Sequence, residues 1–118
     1  MVELKTELNP LRIILGKTKK IELMIQIRND SDKTRTISCD ILLGNNLGFE
    51  KNGLSNTRVL RLGEMKSNEK QIQYFTIYPK ATITKREQPI FVSVMEHFNE
   101  DYNYILSKKT KQLSLRIE

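Results

Sequence analysis

Lys19-Lys20-Ile21-Glu22-Leu23-Met24-Ile25-Gln26-Ile27-Arg28 decides the fold class. Ile21, Leu23, Ile25 and Ile27 share one phase of a two-residue period, and Glu22, Met24, Gln26 and Arg28 share the other. Successive side chains of an extended chain point to opposite faces, so this alternation sends four aliphatics into a core and leaves the other phase outside. A helix would spread the same four residues over two opposite faces. The stretch reads as a half-buried strand.

The pattern recurs outward from there. Ile37, Cys39, Ile41 and Leu43 alternate with Ser38, Asp40 and Leu42. Ile90, Val92 and Val94 alternate with Phe91, Ser93 and Met95, and Leu113, Leu115 and Ile117 with Ser114 and Arg116. Phe75 and Ile77 follow Gln73 in the same phase. Composition agrees, since the chain holds 13 Ile against a single alanine, Ala81, rich in a β-branched residue and poor in the best helix former. Turn clusters separate the runs, among them Asn9-Pro10, Gly16-Lys17, Asn29-Asp30-Ser31-Asp32, Gly44-Asn45-Asn46 and Asn99-Glu100-Asp101. Strands are expected over residues 2–8, 12–15, 19–28, 34–43, 57–62, 69–78, 89–98 and 104–117. Seven or eight short strands at such spacing indicate an all-β sandwich of two antiparallel sheets.

The 118 residues, 13.8 kDa, fit one domain over residues 1–118. Lone Cys39 makes no intrachain disulfide, and with lone His97 it falls short of the four soft ligands of a structural zinc site. The longest unbroken apolar runs, such as Ile13 to Leu15, Leu23 to Ile25 and Ile41 to Leu43, are three residues, far below the roughly 18–20 residues of a membrane-spanning helix. Residues 1–8 alternate charged and aliphatic side chains, unlike a secretory leader, so a cytoplasmic location is expected unless a removed signal peptide or a larger parent protein says otherwise. The net charge of +6 favours acidic or polyanionic partners, though the cations mostly alternate with apolar residues, as on the wet face of a sheet.

The order of these pieces resembles prokaryotic immunoglobulin-like modules, in particular CARDB-type adhesion-associated domains and the C-terminal sandwich domains of transglutaminases. The residues that carry the likeness are Asn9-Pro10 with Ile13 and Gly16, then Ile25-Gln26-Ile27-Arg28-Asn29 before the turn Asp30-Ser31-Asp32. Leu60, Leu62 and Gly63, Phe75-Thr76-Ile77-Tyr78-Pro79, and the closing Lys111 to Ile117 follow. The resemblance implies an immunoglobulin-like scaffold that binds, spaces or assembles, without catalytic residues and without a cofactor. The Cys pair and core Trp of antibody domains are absent from the sequence.

Candidate sites follow from phase. Cys39 shares the inward phase of Ile37 and Ile41 and reads as a small core hydrophobe, while His97 falls out of phase with Ile90, Val92 and Val94, so the two do not suggest a Cys–His pair. Glu96, Asn99, Glu100, Asp101 and Asn103 match no calcium-loop spacing and read as a polar hairpin tip. Leu42, Phe91 and Met95 project outward, with Met24, and the first three should share one sheet face, the preferred surface for a protein partner or a homodimer. A loop such as residues 44–56 folding over them is the competing reading. Lys17, Lys19, Lys20, Lys80, Lys85 and Arg86 are expected at one pole, where they would meet phosphate backbones or an acidic surface. Tyr102 and Tyr104 beside Lys108, Lys109 and Lys111 are the one mixture of aromatic and basic residues, and it falls short of a nucleic-acid motif. The function expected is a non-catalytic interaction or assembly module, with polyanion binding as the alternative.

Overall fold

The computed structural model describes residues 2–51, 55–80, 87–98 and 101–118, and every regular element in them is a strand. Among the described residues nine strands follow in order: β1 (Val2–Asn9), β2 (Arg12–Ile13), β3 (Ile21–Asn29), β4 (Arg35–Leu43), β5 (Leu47–Gly48), β6 (Thr57–Met65), β7 (Lys70–Pro79), β8 (Glu87–Phe98) and β9 (Asp101–Ile117). They form a four-stranded sheet in the order β1-β3-β7-β5 and a five-stranded sheet in the order β2-β9-β8-β4-β6. All pairs are antiparallel except β2 with β9. The strand that opens the chain is thus divided between the two sheets, which gives the layout of an immunoglobulin-like sandwich.

The alternation read from the sequence is the core. Ile21, Leu23, Ile25 and Ile27 of β3 face Ile37, Cys39 and Ile41 of β4 and Ile90, Val92 and Val94 of β8 across one cluster, each at most 2 % exposed. Burying one such aliphatic side chain contributes about 1.5–3 kcal/mol. β1 is held to β3 partly by Arg28, whose Nε and Nη2 donate to the two oxygens of Glu3 at 3.0 and 2.8 Å. That bidentate hydrogen bond holds the Glu3 carboxyl below its ordinary range.

Asn29 closes β3. Its side chain is fully buried; Nδ2 donates to the carbonyls of Lys33 and Met65, both at 2.8 Å, and Oδ1 accepts from the amide and hydroxyl of Ser31 at 3.0 and 2.7 Å. One side chain therefore fixes the β3–β4 turn and the end of β6. Nearby, β6 carries an extra residue against β4, where Ile37 pairs with Gly63 and Ser38 with Arg61, and Gly63 takes φ 74°, which glycine adopts without steric cost.

The segment after β4 turns inward. Leu47 and Phe49 are buried, and Phe49 meets the Phe75 ring edge-on at 6.0 Å. Its two-residue strand β5 pairs with Tyr78 and Pro79. The described part of residues 44–56 thus fills the edge of the core instead of covering Leu42, which stays 45 % exposed.

Candidate functional site

The outer face of the five-stranded sheet was the expected binding surface. Leu42 of β4 and Phe91 of β8 stand directly opposite one another in the ladder, and Phe91 is half-buried. They line an open hollow of about 430 Å³ together with Pro89, rimmed by Asn45, Asn46 and Asn56. The rim is drawn in where the Gly44 amide donates to the Pro89 carbonyl at 2.8 Å. A Cβ on Gly44 would lie 3.0 Å from Pro89 Cδ and 3.2 Å from the Pro89 carbonyl, so a larger residue there would press on the rim.

Met95 does not join them. It keeps the outward phase but is only 7 % exposed, set between Ser38 of β4 and Lys108 of β9. Between Phe91 and Met95 runs a polar row, Asp40, Ser93 and Thr110, in which the Ser93 and Thr110 hydroxyls are 2.9 Å apart. The expected three-residue apolar patch is therefore a pair, Leu42 and Phe91.

The cover over this end of the face comes from the β8–β9 hairpin. Tyr102 lies with its ring centroid 5.0 Å from that of His97, and the Arg61 guanidinium of β6 sits 4.7 Å over the Tyr102 ring. Beneath it His97 is 4 % exposed and its Nε2 is 2.6 Å from Ser38 Oγ. Among the described residues Nδ1 of His97 has no hydrogen-bond partner, so no carboxylate orients the ring as hydrolytic serine–histidine pairs require. Roofed by Tyr102, the pair serves to pin the hairpin onto the sheet.

Cys39 and His97 lie on opposite faces of the same sheet, Cys39 beside Val94 and His97 beside Thr36. Burial, aided by Asp40, pushes the Cys39 thiol up to about 12. The raised value favours the thiol form in the folded chain, so it weakens stability only as pH climbs from about 9 towards 12. A disulfide reagent at neutral pH is expected to leave Cys39 untouched in the native protein and to react fully once denaturant is added. Rapid labelling without denaturant would place the thiol at the surface. Among the described residues no group of three His, Cys, Asp or Glu is arranged to hold a metal ion.

The expected cationic pole is assembled in part. Register sets the residues before Ile21 beside those after Ile77, so Lys19 and Lys20 border an open hollow of about 510 Å³ with Tyr78 and Pro79. Lys51 joins them there. Lys17 lies in the preceding turn, its amide donating to Ile14 O, and the Lys80 amide donates to Asn46 O; neither lines this hollow. Lys85 and Arg86 lie outside the described residues. Lys51 was not foreseen, because the two-residue β5 that brings it back beside β7 carries no period.

A second apolar surface was also missed. Phe98, Tyr104, Ile105 and Leu106 on the β8–β9 arm are 44–56 % exposed, and the Phe98 and Tyr104 rings lie 5.6 Å apart. Phe98 and Leu106 border a hollow of about 190 Å³ with Thr36, Glu64 and His97. The signal was present in the unbroken run Tyr104-Ile105-Leu106, which violates strand alternation and so puts an apolar side chain on a wet face.

No family model matches the chain, and no curated protein resembles it in sequence. Solved structures do resemble it in shape. Native alpha-2-macroglobulin of Escherichia coli, over the stretch from its domain MG7 to the C-terminus, superposes with a TM-score of 0.69 at 13 % identity. That match covers 99 % of this chain but 17 % of the macroglobulin fragment. AvmM, described as catalysing macrocyclization in alchivemycin A biosynthesis, superposes with a TM-score of 0.64 at 10 % identity, covering 97 % of this chain and 88 % of that one. A third, the Pseudomonas fluorescens alkylpurine DNA glycosylase AlkC bound to DNA, gives a TM-score of 0.50 at 15 % identity over 98 % of this chain and 30 % of that one. These likenesses establish an immunoglobulin-like β-sandwich. That a macroglobulin, a macrocyclization catalyst and a DNA glycosylase share this shape illustrates that one fold serves unrelated functions.

Proposed function

We propose that this domain is a non-catalytic interaction or assembly module that works through the outer face and hairpin arm of its five-stranded sheet. The observation that supports it is the exposure of Phe98, Tyr104, Ile105 and Leu106 on the arm, on the sheet that also presents Leu42 and Phe91. Apolar side chains gathered at a surface mark contact sites more often than singly scattered ones do. The CARDB-type likeness of the sequence favours the same reading, since such modules bind and space. Membership of a macroglobulin in the set of similar shapes is compatible with it.

A second copy is the first partner to test, by light scattering over a range of protein concentration at low and high salt. A concentration-dependent dimer that persists at high salt is expected. Phe91→Lys or Leu106→Lys is expected to weaken it by about thirtyfold, the roughly 2 kcal/mol of a well-buried interface anchor, while the far-UV circular dichroism stays unchanged. A strict monomer under all conditions would refute self-association, and unfolding of Phe91→Lys would place Phe91 in the core.

The hollow of Lys19, Lys20 and Lys51 supports polyanion binding as a second reading. Three phosphate contacts would make log K fall with log salt at a slope of roughly −2 to −3. Binding to nucleic acid that is insensitive to salt, or unchanged in Lys19→Glu/Lys20→Glu, would exclude it.

A further inference from the structure

The Leu42–Phe91 end of the five-stranded sheet carries no cation, in a chain that is basic as a whole. Cross-strand partners point to the same side of a sheet, so the register names what lies beside the apolar pair. Thr57 of β6, Leu42, Phe91 and Gln112 of β9 form one row across four strands. Val59, Asp40, Ser93 and Thr110 form the row on one side of it, and Pro89 with Ser114 lies on the other. None of these outward residues is Lys or Arg, although the chain holds 20 of them. Cations return only beyond these rows, with Arg61 opposite Ser38 and Lys108 opposite Met95 at one end and Arg116 opposite Glu87 at the other.

The hollow at this end has the same chemistry. Its floor is Leu42, Phe91 and Pro89, and Asn45, Asn46 and Asn56 stand around it, with Glu87 the one charged group among the described residues that line it. The side-chain carboxamides of the three asparagines have no hydrogen-bond partner among the described residues. Their main chain, by contrast, is tied down. The Gly44 amide donates to Pro89 O and the Leu43 amide to Asn56 O, both at 2.8 Å, and the Lys80 amide donates to Asn46 O at 2.9 Å. The hollow is therefore formed before anything binds, which spares a ligand the cost of ordering it. At about 430 Å³ it falls within the roughly 300–1,000 Å³ usual for small-molecule sites.

We propose that this hollow, with the row from Thr57 to Gln112, binds a neutral oligosaccharide. A sugar ring has an apolar C–H face and a rim of hydroxyls that donate and accept at once. Leu42 and Phe91 match the face; carboxamides, which also donate and accept, match the rim. Strands about 4.8 Å apart make the four-strand row roughly 14 Å long, room for more than one ring. The lack of cations argues against a phosphate-bearing or acidic ligand, which the hollow of Lys19, Lys20 and Lys51 suits better. The inference rests on the interaction-module reading. Because the ligand shares Phe91 with the self-association proposed above, sugar and second copy should compete.

The test adds short oligomers of glucose, mannose, galactose, xylose and N-acetylglucosamine to the isotope-labelled full chain, dilute enough to be monomeric, and follows its amide signals by NMR. At least one of these sugars is expected to move the side-chain amide signals of Asn45, Asn46, Asn56 and Gln112 saturably. Phe91→Ala should weaken that binding by about tenfold, and Gln112→Ala, at an exposed position, by about threefold. Gln26→Ala on the other sheet should leave it unchanged. No saturable shift from any of the sugars at millimolar concentration would overturn the proposal. So would undiminished binding by folded Phe91→Ala or, if that variant does not fold, by Gln112→Ala. An oligogalacturonate that binds more tightly than the galactose oligomer would overturn it too and move the ligand to the lysine hollow. A chain that dimerises but ignores every sugar sinks this inference alone, and a strict monomer that binds one sinks only self-association. A strict monomer that ignores them all sinks both.

Discussion

Ile25→Asp is expected to leave a chain with no cooperative thermal transition. Ile25 is fully buried at the centre of β3, flanked in the ladder by Thr6 of β1 and Gln73 of β7. Losing its burial removes about 1.5–3 kcal/mol. An unpaired carboxylate in the same place costs several more, and the sum approaches the roughly 5–15 kcal/mol that holds a typical domain together. The chain has no Trp, so far-UV circular dichroism with a temperature ramp is the measurement. Two companions isolate the cause. Ile25→Val should fold with a loss of about 0.5–1.5 kcal/mol, and Gln26→Asp, one residue along on the opposite face, should change stability by about 1 kcal/mol or less. A cooperative melt from Ile25→Asp would invert the assigned phase of β3.

Asn29→Ala is expected to cost about 3–5 kcal/mol, seen as a fall in Tm on the order of 10 °C or more. The substitution orphans two carbonyls, of Lys33 and Met65, and removes the acceptor of the Ser31 amide and hydroxyl. The main chain at the same residue also ties β3 to the β6–β7 turn, its amide donating to Glu69 O at 3.0 Å and its carbonyl accepting from the Asn68 amide at 2.7 Å. Asn29→Asp separates hydrogen bonding from volume. At neutral pH a carboxylate oxygen would replace the donor that faces two carbonyls, so the loss should match or exceed that of Asn29→Ala. Folding would then favour the protonated acid, raising its value above the ordinary 3.9 or so of Asp. The variant should therefore recover stability as pH falls from 7 toward 4, where a protonated oxygen can donate to one carbonyl. A Tm for Asn29→Asp equal to that of the parent at pH 7 would contradict the hub.

The sandwich was legible wherever a strand has one wet face and one dry one. Ile21 to Ile27, Ile37 to Leu43 and Ile90 to Val94 alternate because the sheets bury one side of each, and the buried set is the one the period names. β5 was not legible, because two residues cannot show a period; its contribution, Leu47 and Phe49 in the core, depends on pairing with β7 across about thirty residues of sequence. Met95 and His97 show the other limit. Their outward phase was read correctly, yet the Tyr102 ring packs against His97 with Arg61 of β6 over Tyr102, and such cover leaves no mark in the alternation of β8. β9 fails in the opposite sense. Lys109 and Lys111 occupy the inward phase yet stay exposed, Lys109 bordering an open hollow with Val2 of β1, and a pattern can name a face without saying how closely anything packs against it.

The polar row of Asp40, Ser93 and Thr110 bears on stoichiometry. It separates the Leu42–Phe91 hollow near the start of β8 from the Phe98–Leu106 arm at its end. Contact of like with like at either surface closes on a two-fold axis and stops at two copies. Contact of the hollow of one copy with the arm of the next leaves a hollow and an arm still open, so growth has no built-in terminus unless the rotation closes a ring. Under the proposed self-association, the mass distribution at rising concentration, one step or a ladder, would report which of the two surfaces meet.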